Sequence, residues 1–168
     1  MSDVIENRVE KSGLINLDLN ELVPKGIRSV LDVKDFMFEG VMIREKHFRE
    51  LVEQHDWEQY QGHFVGITCS VDAIIPLWVY MILGSKLEPF ADLIIRGNKA
   101  HIEGALLRRA IEQINVEEYR GKKVIVKGCG GSIPESAYIA IVSSLQKVVQ
   151  SLMFGEACST VPVYKSTN

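Results

Sequence analysis

Strand-like and helix-like segments alternate from residue 64 to the end of this chain, and that order constrains the fold more than any other feature. Phe64 to Thr68 reads as a strand. Cys69 and a turn follow it, then a helix up to about Leu83, with Gly84 as its stop. Ala91 to Ile95 is a short β-branched strand. Asn98 then stands as N-cap to a helix whose apolar stripe is Ile102, Leu106, Ala110 and Ile114. Lys123 to Val126 is the next strand. After it come Gly128-Cys129-Gly130-Gly131 and a capping box, Ser132-Ile133-Pro134-Glu135, with Pro134 in the first helical turn. That helix is expected to run through Tyr138, Ile141, Leu145, Val149 and Leu152 to Gly155, with Val161 to Tyr164 as a last strand. Such an order predicts βαβ crossovers and a largely parallel sheet with helices packed on it.

Upstream, Leu14 to Leu19 alternates with a period of two from Ile15 on, and Ile27 to Val33 is a second strand. Pro24-Lys25-Gly26 lies between them, so the two are expected to form an N-terminal strand pair. Arg44 to Gln54 is an amphipathic helix that turns Phe48, Leu51 and Val52 inward. No repeat of solenoid length and no linker divides the chain. Its 168 residues are expected to form one α/β domain, residues 1–168.

Charge and hydropathy exclude some functions. A formal net charge of −3, with Lys and Arg scattered, gives no field for nucleic acid. The longest apolar run, Ala73 to Leu83, is about half of the ~20 residues a membrane span needs, so no membrane association is expected. The N-terminus has no basic segment followed by an apolar one, which predicts a cytoplasmic protein in a reducing compartment. An odd count of three cysteines agrees, since three cannot all pair within one chain.

Those cysteines are the candidate site. Buried structural cysteines usually lie in apolar runs. Here Cys69, Cys129 and Cys158 lie among Gly, Ser and Thr. Three thiolates and an oxygen ligand, Asp72, would suit zinc or iron. The spacing has no CxxC knuckle, so any metal site must be assembled by the fold. Cys129 is also a candidate reactive or catalytic thiol. It precedes a helix N-terminus, and Lys127 falls on its side of an extended strand, which favours a thiolate and makes a persulfide or sulfenate plausible chemistry. Parallel topology sets Cys69 and Cys129 on the carboxyl edge of one sheet and sends Cys158, after a long helix, to the opposite edge unless the tail returns. The position of Asp72, three residues past Cys69, favours capping the helix that follows over supplying an oxygen ligand. The segment from Gly128 to Ser132 resembles an anion cradle but has neither the P-loop nor the GxGxxG spacing.

Several of these segments together resemble a known family. Val9-Glu10-Lys11-Ser12-Gly13-Leu14, His55-Asp56-Trp57, Cys69-Ser70-Val71-Asp72-Ala73-Ile74-Ile75-Pro76, Val126-Lys127-Gly128-Cys129 and Gly155-Glu156-Ala157-Cys158-Ser159-Thr160-Val161-Pro162 are similar to the bacterial domain-of-unknown-function family 2480. The likeness covers nearly the whole chain. It carries no established activity. It implies a small cytoplasmic protein, often encoded beside the sulfur-mobilisation machinery of iron–sulfur assembly, with assembly proteins as partners. His63 and His101 fall in none of these motifs and are set aside as ligands. The expected function is an accessory of iron–sulfur or sulfur metabolism that binds a metal or carries sulfur through Cys69, Cys129 and Cys158. Two alternatives stay open: a thiol-dependent enzyme, sulfurtransferase or redox type, acting through Cys129, and a protein-binding module with structural cysteines.

Overall fold

The structure is a computed structural model that describes residues 13–128, 133–156 and 158–167. The fold is mixed α/β with two largely parallel sheets. The strands are β1 (Leu14–Asp18), β2 (Arg28–Asp32), β3 (Phe64–Thr68), β4 (Leu93–Arg96), β5 (Lys123–Lys127), β6 (Ser151–Glu156) and β7 (Ser159–Lys165). The helices are α1 (Glu45–Gln54), α2 (Leu77–Leu87), α3 (Lys99–Glu112) and α4 (Glu135–Leu145). No helix among the described residues is long and apolar enough to cross a membrane.

The chain divides into two compact units. The first is built from Met1–Pro24 and Leu106–Asn168, so far as these are described, and the second from Lys25–Ala105. The first unit holds a sheet in the order β1-β5-β6-β7, parallel through β6, with β7 antiparallel at its edge. The second holds the parallel sheet β2-β3-β4. The expected pairing of β1 with β2 does not occur. Each strand instead pairs in parallel with the central strand of its own sheet, Leu14 opposite Lys123 and Arg28 opposite Phe64. Gly26 adopts φ 152°, and the Phe64 ring stands against it, with Cε2 2.7 Å from where a Cβ would lie. The turn chemistry read at Pro24-Lys25-Gly26 therefore delivers the chain to a parallel ladder, not to a hairpin.

Each unit has its own core. In the first, Leu17, Leu107, Val124, Val126, Ile141 and Leu152 pack together. In the second, Val33, Phe36, Phe48, Val65, Val79 and Leu83 do. Trp57 closes the second core, its Nε1–H donating to the Val52 carbonyl at 2.8 Å. His55 lies beside it, 4.6 Å from the Trp57 ring and 5.8 Å from the Tyr60 ring, centroid to centroid. Burial there lowers the His55 pKa, against the raising effect of Asp56 and Asp35, so the imidazole packs as a neutral aromatic group.

Both units follow one plan, although no repeat of solenoid length is visible in the sequence. In each, the first strand ends in an aspartate whose side chain accepts the amide two residues on: Asp18 from Asn20 at 2.8 Å, Asp32 from Lys34 at 3.0 Å. A short 3-10 turn then precedes a glycine in the left-handed region, Gly62 at φ 70° and Gly121 at φ 66°. Each of these glycine amides donates at 2.8 Å to the segment that enters the third strand, Gly62 to Phe90 and Gly121 to Val148. The central strand follows, then a proline N-cap, Pro76 or Pro134, and a helix of 11 residues. A third strand follows, and a positive-φ glycine comes at its end, Gly97 or Gly155. The signal in the sequence is Glu58-Gln59-Tyr60-Gln61-Gly62 against Glu117-Glu118-Tyr119-Arg120-Gly121.

Three helix boundaries differ from expectation. The α2 helix runs through Gly84 to Leu87. Glycine in a helix interior costs only about 1 kcal/mol, and buried Leu83 and Leu87 hold both sides of it. Pro134 is the N-cap of α4 and not a residue of its first turn, while Ser132 of the expected capping box lies outside the described residues. Most consequential, α4 stops at Leu145. The residues read as its last turns become a bend and β6, whose Leu152 lies opposite Val124.

Candidate functional site

The carboxyl ends of parallel strands are where open α/β sheets present side chains to ligands. Each unit has such an edge, and the sequence-predicted site residues are divided between them.

In the first unit, β1, β5 and β6 end in Asp18, Lys127 and Glu156. Asp18 lies opposite Lys127 in the ladder. Lys127 Nζ meets Glu156 Oε2 at 2.6 Å. The Glu156 hydrogen bond raises the Lys127 pKa, desolvation works against it, and the charges of Glu156, Asp18 and Cys158 add to the rise. Lys127 is therefore held as an ammonium at this edge. Cys158 lies in the connection between β6 and β7 and is exposed. That connection is tight. Gly155 has φ 123°, and a Cβ on it would run into the Ser159 carbonyl oxygen. On the β5 side, the Tyr138 hydroxyl donates to the Gly128 carbonyl at 2.7 Å and fixes the last described residue before Cys129. Cys129 itself lies outside the described residues.

The topology corrects the expected placement of the cysteines. Cys158 does not follow a helix to the far edge. It follows β6, which is parallel to β5, so it comes out at the edge where β5 delivers Gly128. Cys69 follows β3, in the other sheet. The pairing of Cys69 with Cys129 on the edge of one sheet is thus replaced by Cys158 beside the end of β5. Among the described residues, no group of three His, Cys, Asp or Glu side chains is placed to hold a metal ion.

In the second unit, Asp32 Oδ1 reaches from the end of β2 to accept the Ser70 amide at 3.1 Å, which ties down the turn after β3. Burial works against its charge, but the hydrogen bonds from Ser70 and Lys34 outweigh it and leave the Asp32 pKa below the ordinary carboxylate value. Cys69 is half-buried, and its thiol donates to the Val71 carbonyl at 3.3 Å. Asp72 is exposed and does not cap α2, which begins at Leu77 behind Pro76. Cys69 and Asp72 instead line a cleft of about 810 Å³, with Thr68, Tyr80, Arg96 and His101.

A family model described as protein of unknown function (DUF2480) matches residues 3–166. The chain belongs to the DUF2480 family. No curated protein and no solved structure gives a significant match. Within this DUF2480 chain, sequence reasoning missed Glu156 and Arg96 as residues of the two edges, and it set His101 aside as a ligand although the helix that carries it starts at the edge. Glu156 was hidden because β6 read as helix. Arg96 and Asn98 flank Gly97 at the end of a strand that was visible, and that strand–Gly–cap pattern was the available signal.

Proposed function

We propose that this chain is a thiol-based accessory of sulfur metabolism, of the kind that serves iron–sulfur assembly. It carries sulfur on Cys158 and Cys129 at the carboxyl edge of β5 and β6. One observation supports this above the others: Cys158 leaves β6 at the edge where Lys127 is held as an ammonium by Glu156. Lys127 sets a cation at the edge where a sulfur donor would meet Cys158, for the charge that an attacking or leaving sulfur carries. Cys129, one residue beyond Gly128 in the chain, supplies a second sulfur from the β5 side. The loading step is balanced without an added oxidant. The cysteine thiolate attacks the outer sulfur of a persulfide donor, R–S–S–H. A new S–S bond forms as the donor's own breaks, the donor leaves as R–S⁻ with the bonding electron pair, and the hydrogen stays on the transferred sulfur. Iron–sulfur assembly proteins are the partners this reading implies, in keeping with the family resemblance. The chemistry would be stoichiometric carriage or, with a bound acceptor, sulfur transfer.

Alkylation kinetics separate this reading from a metal site or structural thiols. With iodoacetamide near neutral pH, Cys158 is expected to label faster than Cys69, and Lys127→Gln to slow Cys158 several-fold while leaving Cys69 unchanged. Glu156→Gln, which leaves the lysine in place, should not reproduce that slowing. Equal labelling rates in Lys127→Gln and the parent chain would remove the support for an activated thiol. Protection of all three cysteines, together with about one equivalent of zinc or iron, would point to a metal site instead.

A further inference from the structure

The common plan of the two units sets two grooves at equivalent places, between the helix after the central strand and the end of the third strand, and their linings differ in chemistry. In the first unit the groove is about 560 Å³ and apolar. Tyr138 there faces Phe154 edge-on, with ring centroids 5.7 Å apart. In the second unit the tyrosine of α2 is kept as Tyr80, but its partner at the end of the third strand is Arg96, the guanidinium carbon 5.8 Å from the ring centroid. The groove becomes the cleft of about 810 Å³ that Arg96, Asp72 and His101 line.

Three features of this cleft point to a ligand. Arg96 has no carboxylate within ion-pair distance among the described residues, whereas Arg28 is held bidentately by Glu103 at 2.7 and 3.1 Å, and Arg120 pairs with Glu117. His101 is oriented by Asn98. The Asn98 Oδ1 accepts the amides of Ala100 at 3.1 Å and His101 at 3.3 Å, and it lies 2.7 Å from His101 Nδ1. An oxygen so placed only accepts, so in the neutral ring Nδ1 carries the proton and Nε2 keeps its lone pair. The Asn98 backbone amide also points at Nδ1, at 3.4 Å, and is the longer and weaker of the two contacts. Gly97 makes this arrangement possible: at φ 142°, a Cβ there would stand 2.6 Å from the His101 Cβ. Because Asn98 occupies the first amides of α3, the cation that remains for an anion is Arg96 and not the helix terminus.

We propose that this cleft binds a small molecule bearing one anionic group, a carboxylate or a phosphate, on Arg96. The body of the molecule lies along Tyr80 and Ile75, and His101 Nε2 accepts a hydrogen bond from it. Asp72 is the acidic member of the lining. It faces the ligand with a negative group and so selects against polyanions and for a donor, such as a hydroxyl or amine, at the far end. The site belongs to the second unit and does not depend on the sulfur-carrying reading. Replacing Cys158 should leave it intact.

The test is amide NMR of the full chain titrated separately with sodium acetate and with inorganic phosphate, against sodium chloride at equal ionic strength. The shifts of Gly97, Asn98 and His101 are expected to saturate with at least one probe, and the probe that saturates names the anion class. Arg96→Gln should weaken that binding about tenfold or more. Arg96→Lys should retain part of it. Arg108→Gln, the same charge change at an exposed residue paired with Glu112, should not alter it. The Arg96→Gln spectrum itself reports whether the variant is folded. Shifts that stay linear with both probes, or equal affinity in Arg96→Gln and Arg108→Gln, would overturn the proposal.

Discussion

Replacing Phe48 by alanine is expected to lower the unfolding free energy by about 3–5 kcal/mol. Phe48 is fully buried at the centre of the second unit's core. Its ring stands edge-on to Trp78 at 5.4 Å and tilted on Phe36 at 6.0 Å. Truncation removes both aromatic contacts and leaves a cavity between α1 and the sheet residues that elements on both sides hold open. Against a typical domain stability of about 5–15 kcal/mol, this is a large share. Urea unfolding should show a lower midpoint with an unchanged slope. The matched comparison is Phe154→Ala in the first unit. That side chain is 39% exposed, and its loss should cost clearly less. A Phe48→Ala midpoint no lower than that of Phe154→Ala would contradict the placement of the core.

The second large effect is expected at Gly66. This residue is buried in the middle of β3, with Val30 on one side and Ile95 on the other in register. A Cβ added here would run into the Gly97 carbonyl oxygen and lie 3.3 Å from Ile102 Cδ1. The obstacle is mainly backbone, and the ladders on both sides limit how far β3 can move. Gly66→Val should therefore destabilise by about 1–3 kcal/mol through overpacking. It should also act at a distance from its own position. The Gly97 turn it displaces carries Arg96 and orients His101, so the variant should lose anion binding even under conditions where it remains folded. A folded Gly66→Val with parental affinity for the saturating probe would show that the β3–Gly97 contact does not shape the cleft.

Much of this fold was legible because strand and helix periods differ wherever an element faces one way. Phe64–Thr68 was read at its observed bounds, and Asn98 was read as the cap it is. The misreading that mattered fell on residues 146–156. There Val148, Val149 and Leu152 satisfy helical spacing as well as they satisfy burial in a strand. What separates the two readings is not local. The Gln150 amide donates to the Lys122 carbonyl at 2.8 Å, and Ser151 lies opposite Lys123, contacts that exist only once β5 is in place. That one element inverted the cysteine geometry. With β6 as a strand, Cys158 emerges beside the end of β5, and the salt bridge from Lys127 to Glu156 becomes visible. The plan common to the two units escaped for a different reason. They share turn residues such as Tyr60 and Tyr119 or Gly62 and Gly121, while their strands share little: Phe64 and Thr68 of β3 stand where β5 has Lys123 and Lys127, and Arg96 of β4 stands where β6 has Phe154.

The candidate site was legible in kind but not in grouping. Thiols at strand ends were visible as cysteines among small and polar residues. Which thiols share an edge depends on sheet order, and sheet order depends on pairings between residues more than 100 positions apart, as for Leu14 and Lys123. Asp72 was read correctly as a residue of the loop after β3, and its side chain lines a cleft in place of capping a helix. His101 was set aside for lack of a motif, yet its orientation comes from Asn98, the cap the sequence did reveal.

The central claim is that sulfur is carried at the β5–β6 edge and not at Cys69. Its most direct test exposes the metal-free full chain to a small persulfide donor, traps the product by alkylation and maps the added sulfur by peptide mass spectrometry. The account predicts the additional sulfur on the peptides containing Cys158 and Cys129, none on the peptide containing Cys69, and loss of most loading in a Cys129→Ser, Cys158→Ser double variant. Sulfur on Cys69 alone, or no loading of a chain whose thiols are shown to be free, would contradict it.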